Sequence, residues 1–243
     1  VDPIRALRLF GLAEGGRFSP KVSYIYRKQL EEADIIVINK CDLLEAGRLV
    51  QLRQALAVEY PRAELREASA RNGFGLDAWF DRITASDQEA GTAMGVDYEV
   101  YAEGEALLGW LNCTVELSSE TAFDGNDFLM ELAKGVQQTL NNSGAEVAHL
   151  KMTLAPGEGL GELAVINLVR NDYVPELAQI LEEPIQGGQL ILNLRAEASP
   201  DLLAEAVRVA LETWGRREPK VACRLDHLEH FRPGKPKPTH RLP

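Results

Sequence analysis

Cysteine is scarce in this 243-residue sequence, which contains three: Cys41, Cys113 and Cys223. The number is odd and the spacing is wide. Domains that are held together by disulfides usually carry an even number of cysteines at short spacings. The pattern therefore argues against a disulfide framework, and we expect a fold that is stabilised by a hydrophobic core.

Long hydrophobic runs are also missing. Apolar stretches such as Ile35–Ile38 fall far short of the ~20 residues of a membrane-spanning helix, and the sequence does not open on a charged-then-apolar leader. Positive charge is low as well, since 26 Lys and Arg face 37 Asp and Glu, for a formal net charge of −11. Because such a charge repels phosphate-rich partners, we expect no nucleic-acid or membrane partner. The lack of a membrane-spanning run and of a leader predicts a cytoplasmic protein.

An initiator methionine is absent too, and the sequence opens on Val1-Asp2-Pro3. We interpret Asp2-Pro3 as a turn. We also expect that the beginning of the natural chain is missing.

Residues 1–84 follow the order of a doubly wound α/β domain. Ser19-Pro20 is typical of a helix start, and the unbroken apolar run within Asp34–Asn39 predicts a strand that is covered on both faces. Two strands are too few to complete such a sheet. We therefore expect the trailing part of a larger Rossmann-like domain. The other predicted elements are helices over residues 44–59 and from Leu76 to Ile83, and a strand over residues 62–68.

The pattern changes after a predicted linker at residues 85–98, which is rich in small and polar residues. Apolar residues then alternate with polar ones from Leu111 to Leu117, as expected of a sheet with one wet face. Strand–helix–strand occurs twice within residues 99–230. This predicts a smaller, ferredoxin-like α+β domain: an antiparallel sheet with an added strand and two helices on one face. Residues 231–243 are basic and proline-rich, which indicates an extended tail.

The motif with the clearest chemistry is Asn39-Lys40-Cys41-Asp42, directly after the predicted buried strand. Ligands of open α/β sheets bind at the carboxyl ends of strands. Guanine presents two neighbouring donors, N1–H and the 2-amino group, which one carboxylate such as Asp42 can accept. The Asn39 amide can hold the loop and reach the base, and the stem of Lys40 can lie along the purine. The alternative is a solvated turn, because these residue types are common after strands.

A second candidate loop follows the second predicted strand, at Glu67-Ala68-Ser69-Ala70. A backbone amide near Ser69 or Ala70 could donate to O6 of a guanine, as the corresponding loop does in GTPases. The two loops in this order favour guanine recognition over a chance match. The predicted guanine-binding residues are Asn39, Lys40, Asp42, Ser69 and Ala70.

The run from Tyr26 to Leu43, which contains Ala33-Asp34 before the buried strand and Asn39–Asp42 after it, resembles the CobW family of P-loop GTPases. Val1-Asp2 resembles the end of the preceding strand in that family. The resemblance covers mainly residues 1–84, and a smaller α+β domain follows in the family as well. It implies a metal-chaperone or metal-centre insertion protein that binds GTP and serves a client metalloprotein.

The sequence departs from that family in one important respect. It contains no Gly-x-x-x-x-Gly-Lys-[Ser/Thr], and Gly234-Lys235 is followed by proline. The magnesium-binding carboxylate, the switch segments and the metal-binding cysteine motif of the family would all precede Val1. Mg²⁺ and Zn²⁺ are therefore expected only with a phosphate-binding half, and the chain is expected not to hydrolyse GTP by itself.

Metal ligands are one interpretation of His227 and His230, which are three residues apart with acidic residues nearby. Ordinary surface histidines are the alternative. Cys41 is predicted to be a plain loop residue, while Cys113 and Cys223 are expected on apolar strand faces. No catalytic residue is predicted.

A different class of function also fits the sequence. The alternating sheet with one wet face, its edge strands and the basic tail could form a non-enzymatic protein-interaction or oligomerisation module. In that case the chain would recognise a client protein or form a homo-oligomer.

Overall fold

The computed structural model describes residues 1–85, 98–157 and 162–234. It is a mixed α/β structure with one parallel and one antiparallel sheet. The chain divides into two compact units between Tyr101 and Ala102. Most of the predicted linker at residues 85–98 and most of the predicted tail at residues 231–243 lie outside the described residues.

The first unit has a two-stranded parallel sheet, β1 (Ile35–Ile38) and β2 (Glu64–Glu67), in register from Ile35↔Glu64 to Ile38↔Glu67. Ile36 and Ile38 are buried on one face of β1, whereas Ile35 and Val37 on the other face are half-buried, so the strand is less completely covered than predicted. Ile36 and Ile38 pack with Leu52, Leu56 and Leu30 into one apolar core. Its helices are α1 (Pro3–Leu9), α2 (Pro20–Glu31), α3 (Ala46–Glu59) and α4 (Leu76–Thr84), and α5 (Tyr98–Glu105) follows.

The start of the chain corrects one expectation. Asp2-Pro3 is a helix start and not a turn, because the Asp2 carboxylate accepts the N–H of Arg5 at 3.0 Å and Pro3 occupies the first helical position. The Val1 amino group donates to the Val37 carbonyl at 2.6 Å, and the Val1 carbonyl accepts the N–H of Asn39 at 3.1 Å. Val1 therefore pairs with β1 along the edge opposite β2, and this pairing places Asp2 beside the end of β1.

The second unit has a six-stranded antiparallel sheet in the order β6-β5-β4-β7-β3-β8. Helices α6 and α7 pack against each other, with the rings of Phe128 and Trp214 at 5.2 Å and the Gly135 backbone against Ala210. The elements are β3 (Gly109–Phe123), α6 (Gly125–Asn142), β4 (Glu146–Pro156), β5 (Ala164–Leu168), β6 (Glu176–Gln179), β7 (Ile185–Glu197), α7 (Pro200–Arg217) and β8 (Val221–Phe231).

The predicted alternation of this sheet is present. Leu111, Cys113 and Val115 of β3 are opposite Leu194, Leu192 and Leu190 of β7, and all six side chains are buried. The same face receives the apolar sides of α6 and α7. The chain order gives strand–helix–strand at each end with two further strands, β5 and β6, inserted between. The sequence analysis anticipated one added strand and missed β6.

In the part of the chain that the structure describes, no helix combines the length and the apolar character that crossing a membrane requires.

Candidate guanine-binding site

The two candidate loops follow neighbouring parallel strands. They therefore leave the sheet at the same edge. The N–H of Ala68 donates to the Ile38 carbonyl at 2.9 Å, and the N–H of Cys41 donates to the Ala68 carbonyl at 3.1 Å. These bonds continue the ladder beyond both strands. They place the Asn39–Asp42 loop directly beside the Ser69-Ala70 loop.

The side chain of Asn39 joins the two loops. Its Oδ1 accepts the N–H of Lys40 at 2.8 Å and the N–H of Ala70 at 3.1 Å. One amide thus fixes the turn that follows its own strand and holds the neighbouring loop. The sequence analysis expected Asn39 to hold its own loop, but not to bind the second one.

Lys40 has a left-handed backbone conformation, with φ of 58°, and is the one such non-glycine residue in the described ranges. Left-handed backbone is unfavourable for a side-chain-bearing residue and persists where the surroundings enforce it, frequently at functional sites. The Lys40 Nζ lies 4.0 Å from Asp2 Oδ2. This ion pair connects the loop to the start of α1, and no motif in the sequence indicated it.

Asp42 lies on a single turn of 3₁₀ helix, Cys41–Leu43, and its side chain is exposed. Among the described residues, none donates a hydrogen bond or contributes an ion pair to its carboxylate. Both oxygens are consequently available to the two neighbouring donors that a guanine edge presents.

The backbone amides of the second loop are already hydrogen-bonded. The N–H of Ser69 donates to the Phe74 carbonyl at 2.9 Å, and that of Ala70 donates to Asn39. The Ser69 amide therefore closes its own loop. Ala70 is the better candidate for guanine O6, and the base would share that N–H with Asn39. The Ser69 side chain is buried, and its hydroxyl has no hydrogen-bond partner among the described residues.

The shape of the second loop depends on Gly75. The residue has φ of +73°, and a Cβ there would lie 2.2 Å from the Glu67 carbonyl oxygen. No L-residue with a side chain fits this position without a shift of the backbone. Gly75 lets the chain turn tightly under the end of β2 and enter α4.

Cys41 lies inside the first loop and is buried. Burial, with the Asp42 and Glu67 carboxylates nearby, raises the pKa of its thiol. The group therefore stays protonated at neutral pH, which disfavours it as a nucleophile or thiolate ligand. This agrees with a packing role.

His227 and His230 lie on opposite faces of β8. His227 is in register with Thr114 on the open face of the sheet, whereas His230 is opposite the buried Leu111 and its Nδ1 lies 3.6 Å from the Asp201 carboxylate. A spacing of three reverses the face of a strand. One ion could not take both side chains. Within the described ranges no group of three or more His, Cys, Asp or Glu residues is arranged to hold a metal ion.

No family model matches the sequence, and no curated protein matches it. The chain is similar to the Zn(II)-bound YjiA GTPase from E. coli, with 15% identity, a TM-score of 0.25, and coverage of 85% of this chain and 57% of that chain. A Zn(II)-bound triple mutant of the YjiA GTPase gives 16% identity, a TM-score of 0.24, and coverage of 88% and 58%. The chain spans less than three fifths of the length of each. Scores this low establish no shared fold, so the site rests on the contacts above.

Proposed function

We propose that residues 1–84 are the base-recognising part of a CobW-like, guanine-nucleotide-binding protein. The observation that carries this proposal is the bond from the Ala70 N–H to Asn39 Oδ1, which joins two separate loops at one sheet edge beside the exposed carboxylate of Asp42. A solvated turn would not need a side chain that reaches a loop 31 residues away.

The chemistry of the site favours guanine over adenine. Asp42 offers two acceptors to N1–H and the 2-amino group of guanine, whereas adenine presents no such pair of donors and would leave a carboxylate without partners. The Ala70 N–H can donate to O6, and the aliphatic stem of Lys40 can cover the purine face. The left-handed turn at Lys40 sets the direction in which its side chain and that of Asp42 leave the loop.

Hydrolysis is not part of this proposal for the chain alone. Phosphoryl transfer depends almost wholly on positioning and neutralising the phosphates, and the sequence holds no P-loop. The described residues also offer no cluster suited to Mg²⁺ or Zn²⁺. GTP, a metal ion and a client metalloprotein enter the proposal only through the CobW resemblance.

The test compares GTP with ATP on the 243-residue chain. Backbone amides and cations around the phosphates supply most of the affinity for a triphosphate, so we expect a Kd for GTP no better than about 1 mM. Two-dimensional NMR should show GTP-dependent shifts confined to Asn39–Asp42 and Ser69–Ala70, and no such shifts with ATP. No magnesium-dependent hydrolysis is expected.

Two variants sharpen the result. Asp42→Ala should abolish the GTP-dependent shifts. Asp34→Asn, which removes the same charge at the opposite end of β1, should leave them unchanged. Equal shifts with ATP, or an unaffected Asp42→Ala variant, would refute guanine recognition. Micromolar GTP binding would show that the chain holds a phosphate site.

A second function, as a protein-interaction or oligomerisation module, is favoured by one observation. Large apolar side chains are exposed around α4: Phe74 is 57%, Phe80 48% and Ile83 39% accessible. The sequence predicts a helix here, and none of the residues of α4 is buried. Phe80 and Ile83 are three residues apart on α4 and so lie on the same side of the helix. Exposed apolar groups side by side favour contact with another protein surface.

Light scattering on the full chain tests this alternative. Self-association should fall when Phe80 is changed to Lys. It should stay unchanged when Val58, which is 83% accessible on α3, is changed to Lys. If the wild-type chain is a monomer at all concentrations, oligomerisation loses its support.

A further inference from the structure

The two edges of the six-stranded sheet differ in length. At one edge β6 has four residues, whereas at the other edge β8 has 11 residues, without a proline or a lysine among them. No strand of the described residues pairs with the outer edge of β8. A free edge offers its N–H and C=O groups to other strands, and proteins usually shorten it or obstruct it with proline or lysine. The edge at β8 is therefore open to pairing, and the edge at β6 is protected by its shortness.

A bulge at Asp226 divides β8 into two parts. Thr114 of β3 is in register with His227 and Val115 with Leu225, so Asp226 is one extra residue without a register position on β3. Side chains alternate between the faces of the sheet on each side of the bulge. The extra residue shifts this alternation by one position. Two residues an odd number of positions apart, one before and one after the bulge, therefore share a face.

Leu225 and Leu228 share the face that the helices cover. They are in register with Val115 and Cys113, and the side chains of both partners are buried. Leu228 packs partly against the core, whereas Leu225 is 36% exposed. An apolar side chain thus remains accessible on the helix-covered side of the free edge.

Arg224 and Glu229 share the other, open face. They are in register with Glu116 and Asn112, which alternate with the buried residues of β3. The Arg224 side chain is 69% exposed and donates to the Asp226 carboxylate at 2.8 Å, which leaves other guanidinium donors. Glu229 is exposed, and none of the described residues donates a hydrogen bond or contributes an ion pair to its carboxylate. One cation and one anion are accessible side by side with the exposed leucine.

The segment Arg224–Glu229 is complementary to itself in the reverse direction. When two copies pair antiparallel about a point between residues 226 and 227, the opposed residues are oppositely charged, apolar, or donor and acceptor: Arg224 with Glu229, Leu225 with Leu228, and His227 with Asp226. A two-fold axis makes each pair occur twice. Cross-strand pairs of these kinds stabilise antiparallel strands.

The bulge makes this register possible. A two-fold axis perpendicular to the sheet leaves every residue on its own face, so opposed residues must share a face. Arg224 and Glu229 are five positions apart and would lie on opposite faces of a regular strand, but the bulge places them on the same one. A shift of one residue would place Arg224 opposite Leu228, which lies on the other face, and would remove the charge pairs.

We propose that β8 is the interface of a homodimer, in which two copies of this chain pair antiparallel along Arg224–Glu229 and join their two sheets into one. The interface lies in the second unit, whereas the guanine-binding candidates and α4 lie in the first. It therefore depends neither on base recognition nor on association through α4, and each of the three can fail separately.

The experiment is sedimentation equilibrium on the 243-residue chain in a Phe80→Lys background, so that association through α4 does not contribute. With β8 unchanged, a monomer–dimer equilibrium is expected. Arg224→Glu should raise the Kd of the dimer at least about tenfold, because two attractive pairs become repulsive. Arg216→Glu makes the same charge change at an exposed ion pair on α7 and should leave the Kd as it is.

Mixing two charge variants separates the interface from an effect on folding. Glu229→Arg alone should weaken the dimer about as much as Arg224→Glu alone. An equimolar mixture of the two variant chains should dimerise again, because one strand then carries two carboxylates and the other two guanidinium groups. Misfolded chains would not recover on mixing.

The chain that carries both Arg224→Glu and Glu229→Arg should dimerise as well, since the charges are exchanged within each pair. Amide hydrogen exchange along β8 should slow as the concentration of the chain with unchanged β8 rises. A monomer at all concentrations would overturn the proposal, and so would a dimer that neither charge reversal weakens or that mixing does not restore.

Discussion

The Oδ1 atom of Asn39 accepts the backbone N–H of Ala70 at 3.1 Å, across 31 residues of sequence. The same oxygen accepts the N–H of Lys40 at 2.8 Å. The two loops at the end of the parallel sheet are therefore fixed to each other by one side chain.

Asn39→Ala should separate the two loops. Removing the acceptor should lower the free energy of unfolding by about 1 kcal/mol, the usual worth of such a bond. It should also speed hydrogen exchange at the Ala70 amide. Asn72→Ala is the matched control, because Asn72 Oδ1 accepts the N–H of Phe74 at 3.0 Å within a single loop. Unchanged exchange at Ala70 in Asn39→Ala would contradict the bridging role.

Two glycines of the second loop offer a paired test of close packing. Both have positive φ, but a Cβ at Gly73 would meet nothing within 4 Å, whereas one at Gly75 would lie 2.2 Å from the Glu67 carbonyl oxygen. Gly73→Ala should cost about 1–2 kcal/mol, from the left-handed backbone alone. Gly75→Ala should cost more than Gly73→Ala by at least about 1 kcal/mol. Equal midpoints in urea denaturation would show that the loop relaxes around the added methyl.

The elements of both units follow closely from local sequence rules. Ser19 and Ser199 each precede a proline and cap α2 and α7, with side chains that accept the N–H of Val22 and Leu202. The alternation of apolar and polar residues in β3 correctly predicted which face of the strand is buried. These signals are local, because a cap or an alternation depends on residues within a few positions.

The missed features depend on contacts that are distant in sequence or on weak local patterns. β6 consists of four partly exposed residues at the edge of the sheet, so it has no apolar pattern to reveal it. The length of β8, which continues to Phe231, follows from pairing with β3. Because the strand includes both His227 and His230, their spacing of three puts them on opposite faces. The link from Lys40 to Asp2 likewise needs the assembled unit.

Alkaline pH should destabilise the second unit through its cysteines. Burial raises the pKa of Cys113 from 9.0 to about 12 and that of Cys223 to about 11. Between pH 9.0 and the raised pKa of each thiol, the unfolded chain has released the thiol proton and the folded chain keeps it. The contribution to the free energy of unfolding is therefore full below pH 9 and falls as the pH rises. The buried Cys113 should contribute a slope of up to about 1.4 kcal/mol per pH unit, and Cys223 a smaller one, because solvent screens its half-buried thiol.

Chemical denaturation of cysteine variants at several pH values measures this effect. Cys113→Ala should flatten the decline between pH 9 and about 12, and Cys223→Ala only between pH 9 and about 11. Tyrosines and lysines contribute equally to the pH dependence of the wild type and of both variants. Comparing the slope of each variant with that of the wild type therefore removes their contribution. A slope in Cys113→Ala equal to that of the wild type would show that the folded protein exposes this thiol.

The last prediction concerns base specificity at Asp42. Asp42→Asn replaces one acceptor with a donor, and xanthine carries an oxygen where guanine carries its 2-amino group, so the variant should accept xanthine nucleotides. Loss of a charged hydrogen-bonding partner should weaken GTP binding by about 2–4 kcal/mol, which places it beyond detection for a millimolar ligand. NMR titration should then show shifts at residues 39–42 with xanthosine triphosphate and none with GTP, the reverse of the wild-type pattern. The exposed carboxylate of Asp42 has no hydrogen-bond or ion-pair partner among the described residues, so the change should leave the melting temperature as it is. If the Asp42→Asn variant binds GTP as the wild type does, Asp42 is excluded from base recognition.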